Sequence, residues 1–209
     1  MKALIYKDLL TLWKNLRMYL LMCVIFQLAS LGGESFTFMR FYPLILVSSL
    51  PHTLIAYDER SGWEKYALCL PASRKQLVSS KYLVGLLLQS GILLIAAVTN
   101  LFLAMEDGYF DAFGYCFELG LNLALGVCVM CVALPATFKM GSEKGRLVNT
   151  ISYGVLAAVL VITVILGSSL GLPDFTLNEW GMIPVLLIPV IALPASWLLS
   201  IRWYENREF

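Results

Sequence analysis

The sequence predicts an all-α integral membrane protein: an N-terminal interfacial amphipathic helix followed by six transmembrane helices, with both termini cytoplasmic. Three observations predict it. Of 209 residues, 59% are hydrophobic and only 14% charged, and the mean hydropathy is +0.79. Soluble domains are about 45–50% apolar and about 25% charged, so the solvent for most of this chain must be lipid. Six apolar stretches, at 18–33, 39–57, 82–105, 112–138, 148–172 and 180–201, reach or approach the ~20 residues that cross a ~30 Å hydrocarbon core. The cationic residues fall almost entirely on one set of connectors. Residues 1–209 therefore read as a single transmembrane domain.

Residues 1–16 come before the first stretch. At 100° per residue Ile5, Leu9, Leu12, Trp13 and Leu16 share an apolar arc, while Lys7, Asp8, Thr11, Lys14 and Asn15 share the opposite one. A basic polar side and an apolar side carrying Trp suit a helix lying in the membrane interface. The apolar run that follows is too long for a signal-peptide core and further spans succeed it, so no cleavable signal is expected.

The connectors alternate. Those at 34–38, 106–111 and 173–179 are short and acidic; those at 58–81 and 139–147 are basic. Fourteen of the 15 Lys and Arg lie with the basic connectors and the termini, and only Arg40 lies on the other side. The positive-inside rule places the basic side and both termini in the cytoplasm. The net charge of +1 carries no nucleic-acid signature.

Inside the stretches, Glu118 is the one clear acid, with Asn122 on the same face. An intramembrane acid is costly and marks a candidate translocation path; the alternative is a structural partner for Arg40. Gln27, Gln89 and Asn100 suit interhelical hydrogen bonds. His52, beside Pro51, is the single histidine, which excludes a histidine-based metal cluster. Cys128-x-x-Cys131 has metal-site spacing but no second pair, and reads as small apolar helix lining. Pro184, Pro189 and Pro194 each remove a backbone donor, so the last span is expected to be kinked or broken. Phosphate-loop, serine-elbow and His-Glu-x-x-His signatures are absent from the sequence.

The connector 58–81 is the largest on the basic side. Leu70-Pro71 splits it into two short helical pieces, because the residue before proline avoids the helical region, and Ser73 is a candidate cap for the second. Trp63, Tyr66, Ala67 and Leu70 form a small apolar face beside Glu59, Glu64 and Lys65.

Here the sequence resembles ABC-2 type permeases, the membrane subunits of a class of ATP-binding-cassette exporters. The opening Lys2-x-Leu4-x-x-Lys7-Asp8 and the loop residues Glu59, Gly62, Glu64, Leu68, Leu70, Pro71, Arg74, Val78, Lys81, Tyr82 and Leu83 carry the resemblance. It implies a non-catalytic permease that forms the translocation path and binds no cofactor itself, ATP and magnesium sitting on a separate ATPase subunit. It implies a second permease copy, as homodimer or heterodimer, and a coupling loop that docks on the ATPase through Glu59, Gly62, Trp63, Glu64, Tyr66, Leu70, Pro71, Arg74 and Lys81. Larger relatives often carry an ectodomain or external helices before the last span, where this chain has only 173–179. That compact build is similar to permeases of small bacterial exporters of peptides, toxins or antimicrobial compounds. Two other readings are a membrane anchor or regulatory subunit that moves nothing, and an ion-coupled secondary transporter using Glu118.

Overall fold

The computed structural model describes residues 1–32, 38–67, 69–106, 112–169 and 179–206. They form nine α-helices, α1 (Lys2–Asn15), α2 (Arg17–Ala29), α3 (Phe38–Ser48), α4 (Leu50–Arg60), α5 (Trp63–Ala67), α6 (Arg74–Glu106), α7 (Ala112–Met140), α8 (Ser142–Ser169) and α9 (Glu179–Glu205). A 3-10 turn, Ser30–Gly32, extends α2. Local chemistry sets several boundaries. Pro51 sits in the first turn of α4, where its missing donor costs nothing. Gly62 (φ +68°) and Gly141 (φ +84°) close the turns after α4 and α7 in the left-handed region that glycine enters freely. Ser73 and Gln76 form a reciprocal cap on α6: the Gln76 amide donates to Ser73 Oγ and the Ser73 amide to Gln76 Oε1, both at 3.3 Å.

The expectation of six transmembrane helices is corrected. Among the described residues three helical segments are long and apolar enough to cross a membrane: Arg74–Leu103, Ala112–Met140 and Leu186–Glu205. A fourth is reached only if Lys2–Asn15 and Arg17–Gly32, which meet at 75°, count as one bent span. The stretch at 18–33 is a 13-residue helix and a 3-10 turn. The stretch at 39–57 is divided at Ser49 into α3 and α4, each 11 residues. At 1.5 Å per residue such a helix covers about 16 Å, half the hydrocarbon core. The stretch at 148–172 lies mostly in α8, whose side chains are described to Val159 and at Ile162, and whose first turns carry Glu143, Lys144 and Arg146; that described part falls short. The connectors 34–37, 107–111 and 171–178 lie outside the described residues.

Helix α7 is the axis. It packs against α3, α6, α8 and α9. Within its most apolar window 67% of residues are buried, against 28% in α6 and 17% in the last span, so α7 faces protein while the other two face lipid. Leu187, Ile188, Val190, Ile191 and Leu198 of α9 stay exposed, as lipid-facing side chains do. Two buried clusters fill the bundle. One gathers Ile55, Tyr82, Met130, Leu134, Phe138 and Tyr204 at the basic end. The other gathers Leu12, Leu16, Cys23, Leu44, Leu54 and Val84 around α1, α2 and α3.

The proline-rich last span is not broken. α9 runs through Pro184, Pro189 and Pro194 as one helix, and polar side chains hold it to its neighbours. Ser196 Oγ donates to the Cys131 carbonyl at 2.8 Å. Its single proton is thereby used, so Tyr82 donates to Ser196 (2.7 Å) and Ser200 donates to Tyr82 (2.8 Å). Trp197 stacks on Tyr82 at 5.2 Å between centroids and donates to Ser79 at 3.0 Å.

His52 is buried and its Nδ1 lies 2.7 Å from Thr137 Oγ1. Thr137 donates to the Ala133 carbonyl, so His52 Nδ1 carries the proton between them. The same threonine meets α8: a Cβ on Gly145 would lie 2.6 Å from Thr137 Oγ1 and 2.9 Å from its Cα. Gly145→Ala is therefore expected to destabilise the protein by about 1–3 kcal/mol through overpacking. Gly154→Ala, with open space at its Cβ, is expected to leave stability unchanged or raised. Thermal unfolding of the two variants in detergent checks this; equal midpoints would show that α7 and α8 are not in the close contact described.

Candidate functional site

The residues singled out at 58–81 meet at the basic end of the bundle, but they do not form one surface. Gly62 turns the chain from α4 into α5, and α5 then directs Trp63 and Ala67 inward. Ala67 is 1% exposed, and Trp63 packs against the cluster of Ile55 and Tyr82. Tyr66 and Leu70 point outward at 70% and 43% exposure, with Lys65, Cys69 and Pro71 also exposed. The apolar face that spacing suggests is thus divided, half anchoring α5 and half facing solvent. Leu68 lies outside the described residues.

Two charged residues of this segment hold helix ends. Glu59 Oε2 accepts from the Ser142 amide at 2.8 Å, where α8 begins with unpaired amides and a positive dipole end. Arg74 Nη1 donates to the carbonyl of Glu205 at 2.5 Å and lies 3.5 Å from that of Tyr204, covering the carbonyl end of α9. Val78 and Tyr82 are fully buried on α6 and Leu83 is half-buried. Glu64 is half-buried and lines the cavity under α5.

The centre of the site is a buried ion network. Lys81 Nζ from α6 lies 2.7 Å from Asp8 Oδ1 of α1 and 2.5 Å from Asp58 Oδ2 of α4. Lys7 Nζ lies 2.7 Å from Asp58 Oδ1 and 2.9 Å from Asp8 Oδ1, and 4.7 Å from the Trp63 ring centroid. The Asp8 side chain is 1% exposed and that of Lys81 is 8%. Two ammonium groups balance two carboxylates, and each charge has an opposite neighbour within hydrogen-bonding distance. That balance makes burial tolerable, since an unpaired charge here would face a heavy desolvation cost.

Spacing explains how α1 brings its acid inward. Leu4, Asp8, Leu12 and Leu16 recur every four residues, and all four are buried. The face turned to the protein is therefore displaced from the purely apolar arc: Ile5 and Leu9 are half-buried beside the second cluster, and Trp13 is 70% exposed. Lys81 was legible as a motif residue; Lys7, Asp8 and Asp58 as its partners were not. The signal was present in an aspartate set between leucines at i−4 and i+4.

Glu118 and Asn122 lie at the other end of the bundle. Glu118 Oε1 is 3.9 Å from Arg40 Nη1, with both side chains about a quarter exposed. Asn122 is buried and donates to the Glu118 carbonyl at 3.3 Å. The intramembrane acid thus has a cationic partner from α3. Cys128 is half-buried and Cys131 buried along α7, both as free thiols.

Removing Lys81 would leave two buried carboxylates facing Lys7 alone. Lys81→Met is expected to cost about 3–5 kcal/mol of stability, the usual penalty for orphaning a buried charge. Adding Asp8→Asn, which restores neutrality, is expected to recover a large part of it. Unfolding midpoints of the single and double variants check this, and a double variant as unstable as the single one would contradict charge balance as the governing factor.

Residues 3–205 match the family described as ABC-2 family transporter protein. No curated protein and no solved structure matches. The family's members are non-catalytic transmembrane components of transporters. With long apolar helices around a packed α7, and a match over almost its whole length, the chain belongs to the ABC-2 family and is a multi-pass membrane permease component.

Proposed function

We propose that this chain is the permease subunit of an ATP-driven exporter and docks on a separate ATPase through the outward face of α5 and the turn that follows it. The observation that supports docking is the division of that helix and its following turn. Trp63 and Ala67 anchor it, while Tyr66 and Leu70 present an aromatic and an aliphatic side chain to solvent beside Pro71 and Lys65. A rigidly held aromatic on a short helix is the kind of side chain that dominates protein interfaces. In this reading the basic end and both termini face the cytoplasm, where ATP and magnesium are held by the partner. The whole chain forms one transmembrane domain, with α1 in the interface. A second permease copy completes the path, and Glu118 borders it on the outer side with buried Asn122 behind it. Amphipathic peptides or antimicrobial and toxic compounds are the substrate class that the compact build suggests.

The residues of 58–81 take distinct roles. Tyr66, Leu70 and Pro71 form the contact surface. Gly62, Trp63 and Glu64 shape and seat α5. Glu59, Arg74 and Lys81 join the segment to α8, α9 and the ion network.

Co-expression with an ATPase encoded beside the gene, tagged pull-down from detergent and an ATPase assay test the proposal. Tyr66→Ala combined with Leu70→Asp is expected to weaken ATPase retention by roughly 10- to 100-fold, the loss typical of a central interface residue, while leaving the unfolding midpoint of the permease unchanged. Retention of the ATPase at wild-type strength by this variant would remove α5 as the docking element. Failure of the wild type to retain any cognate ATPase would favour the anchor reading.

A further inference from the structure

The ion network and α5 are joined through one side chain. Lys7 extends from α1, bonds Asp58 and Asp8, and places its ammonium 4.7 Å from the Trp63 ring centroid. An ammonium over an indole face is attracted by the ring's negative π surface, most strongly where water is excluded. Lys7 is 26% exposed, less than a surface lysine and more than Lys81 at 8%. It therefore lies at the border between the buried network and α5.

The packing of α5 makes that contact consequential. Its main helix neighbour is α4, from which it continues through Gly62. Beneath it a small cavity of about 30 Å³ is lined by Lys7, Asp8, Asp58, Trp63, Ala67 and Lys81, among others. A space of that size holds about one water molecule, so α5 and the network are closely packed, and close packing transmits displacement. Any displacement of α5 therefore changes the distance between Trp63 and Lys7. Lys7 shares both carboxylates with Lys81, so its displacement alters the charge balance felt by α1, α4 and α6 together.

We propose that Lys7 is a positioning residue that ties α5 to α1 and α6, so that a force applied to α5 reaches both helices through the shared carboxylates. As a transmission step the inference rests on the docking reading above; as a mechanical tie within the chain it does not. Its test therefore has an arm for each.

In the first arm, hydrogen exchange is measured on the full-length permease in lipid nanodiscs without any ATPase. Lys7→Met is expected to speed exchange in residues 63–67 together with 2–15 by about tenfold, the factor that the loss of a partly desolvated cation–π contact corresponds to. Lys7→Arg, which keeps the cation, is expected to restore protection. Trp63→Leu, which leaves all four charges in place, is expected to speed exchange in α1. Wild-type protection of 63–67 in Lys7→Met, or of α1 in Trp63→Leu, would overturn the tie.

In the second arm, the permease–ATPase complex is assayed for substrate-stimulated ATP hydrolysis. Lys7→Met is expected to keep ATPase retention while losing stimulation, with Lys7→Arg regaining it. Full stimulation in Lys7→Met would overturn the transmission role. A wild-type permease that retains no ATPase would count against docking, and the exchange arm alone would then decide the tie.

Discussion

Two carboxylates and two ammonium groups share one buried site, and the basic end of the bundle is organised around keeping them together. None of the four is independent. Asp8 and Asp58 each touch both lysines, and Lys81, the most enclosed cation, needs both acids. Because the network spans α1, α4 and α6, these helices are joined by electrostatics that a low-dielectric surround strengthens and water would weaken. A hydrophobic contact tolerates sliding by an ångström; this network does not, since a charge that leaves its partner inside the bundle faces the desolvation cost alone.

Helix α4 stands between that network and the rest of the molecule. Asp58 enters the ion cluster while its neighbour Glu59 accepts from the start of α8. One turn therefore grips opposite sides of the bundle, and α5 continues from it through Gly62. Farther back, His52 on the same helix bonds Thr137 of α7. A short helix held at three places moves as a unit.

The lipid-facing part of the bundle is built on other terms. Without a hydrophobic driving force between helices in lipid, packing and polar contacts must hold them. The chain from Ser200 through Tyr82 and Ser196 to the Cys131 carbonyl does this for the last span. Arg40 and Glu118 join α3 to α7 at the far end. The three prolines of α9 are accommodated in a continuous helix, and its polar side chains are spent on neighbours.

By itself the sequence determined the solvent, the helical class and the family resemblance, because composition and the positions of charge and glycine are properties of the chain alone. Ser73 as a cap and the break at Leu70-Pro71 follow from local chemistry that needs no neighbour. The number of spans did not follow. Hydropathy counts apolar residues in a row, whereas a span requires an uninterrupted helix, and 39–57 is interrupted at Ser49. The continuity of α9 also escaped the proline rule, which describes an isolated helix rather than one stitched to α6 and α7. Only the tertiary structure decided which side of α1 faces inward, that Tyr66 and Trp63 part company on α5, and that Lys7, Asp8, Asp58 and Lys81 meet. The physical reason is the same in each case: pairing between residues tens of positions apart depends on how helices pack, and helix periodicity reports only what shares a face.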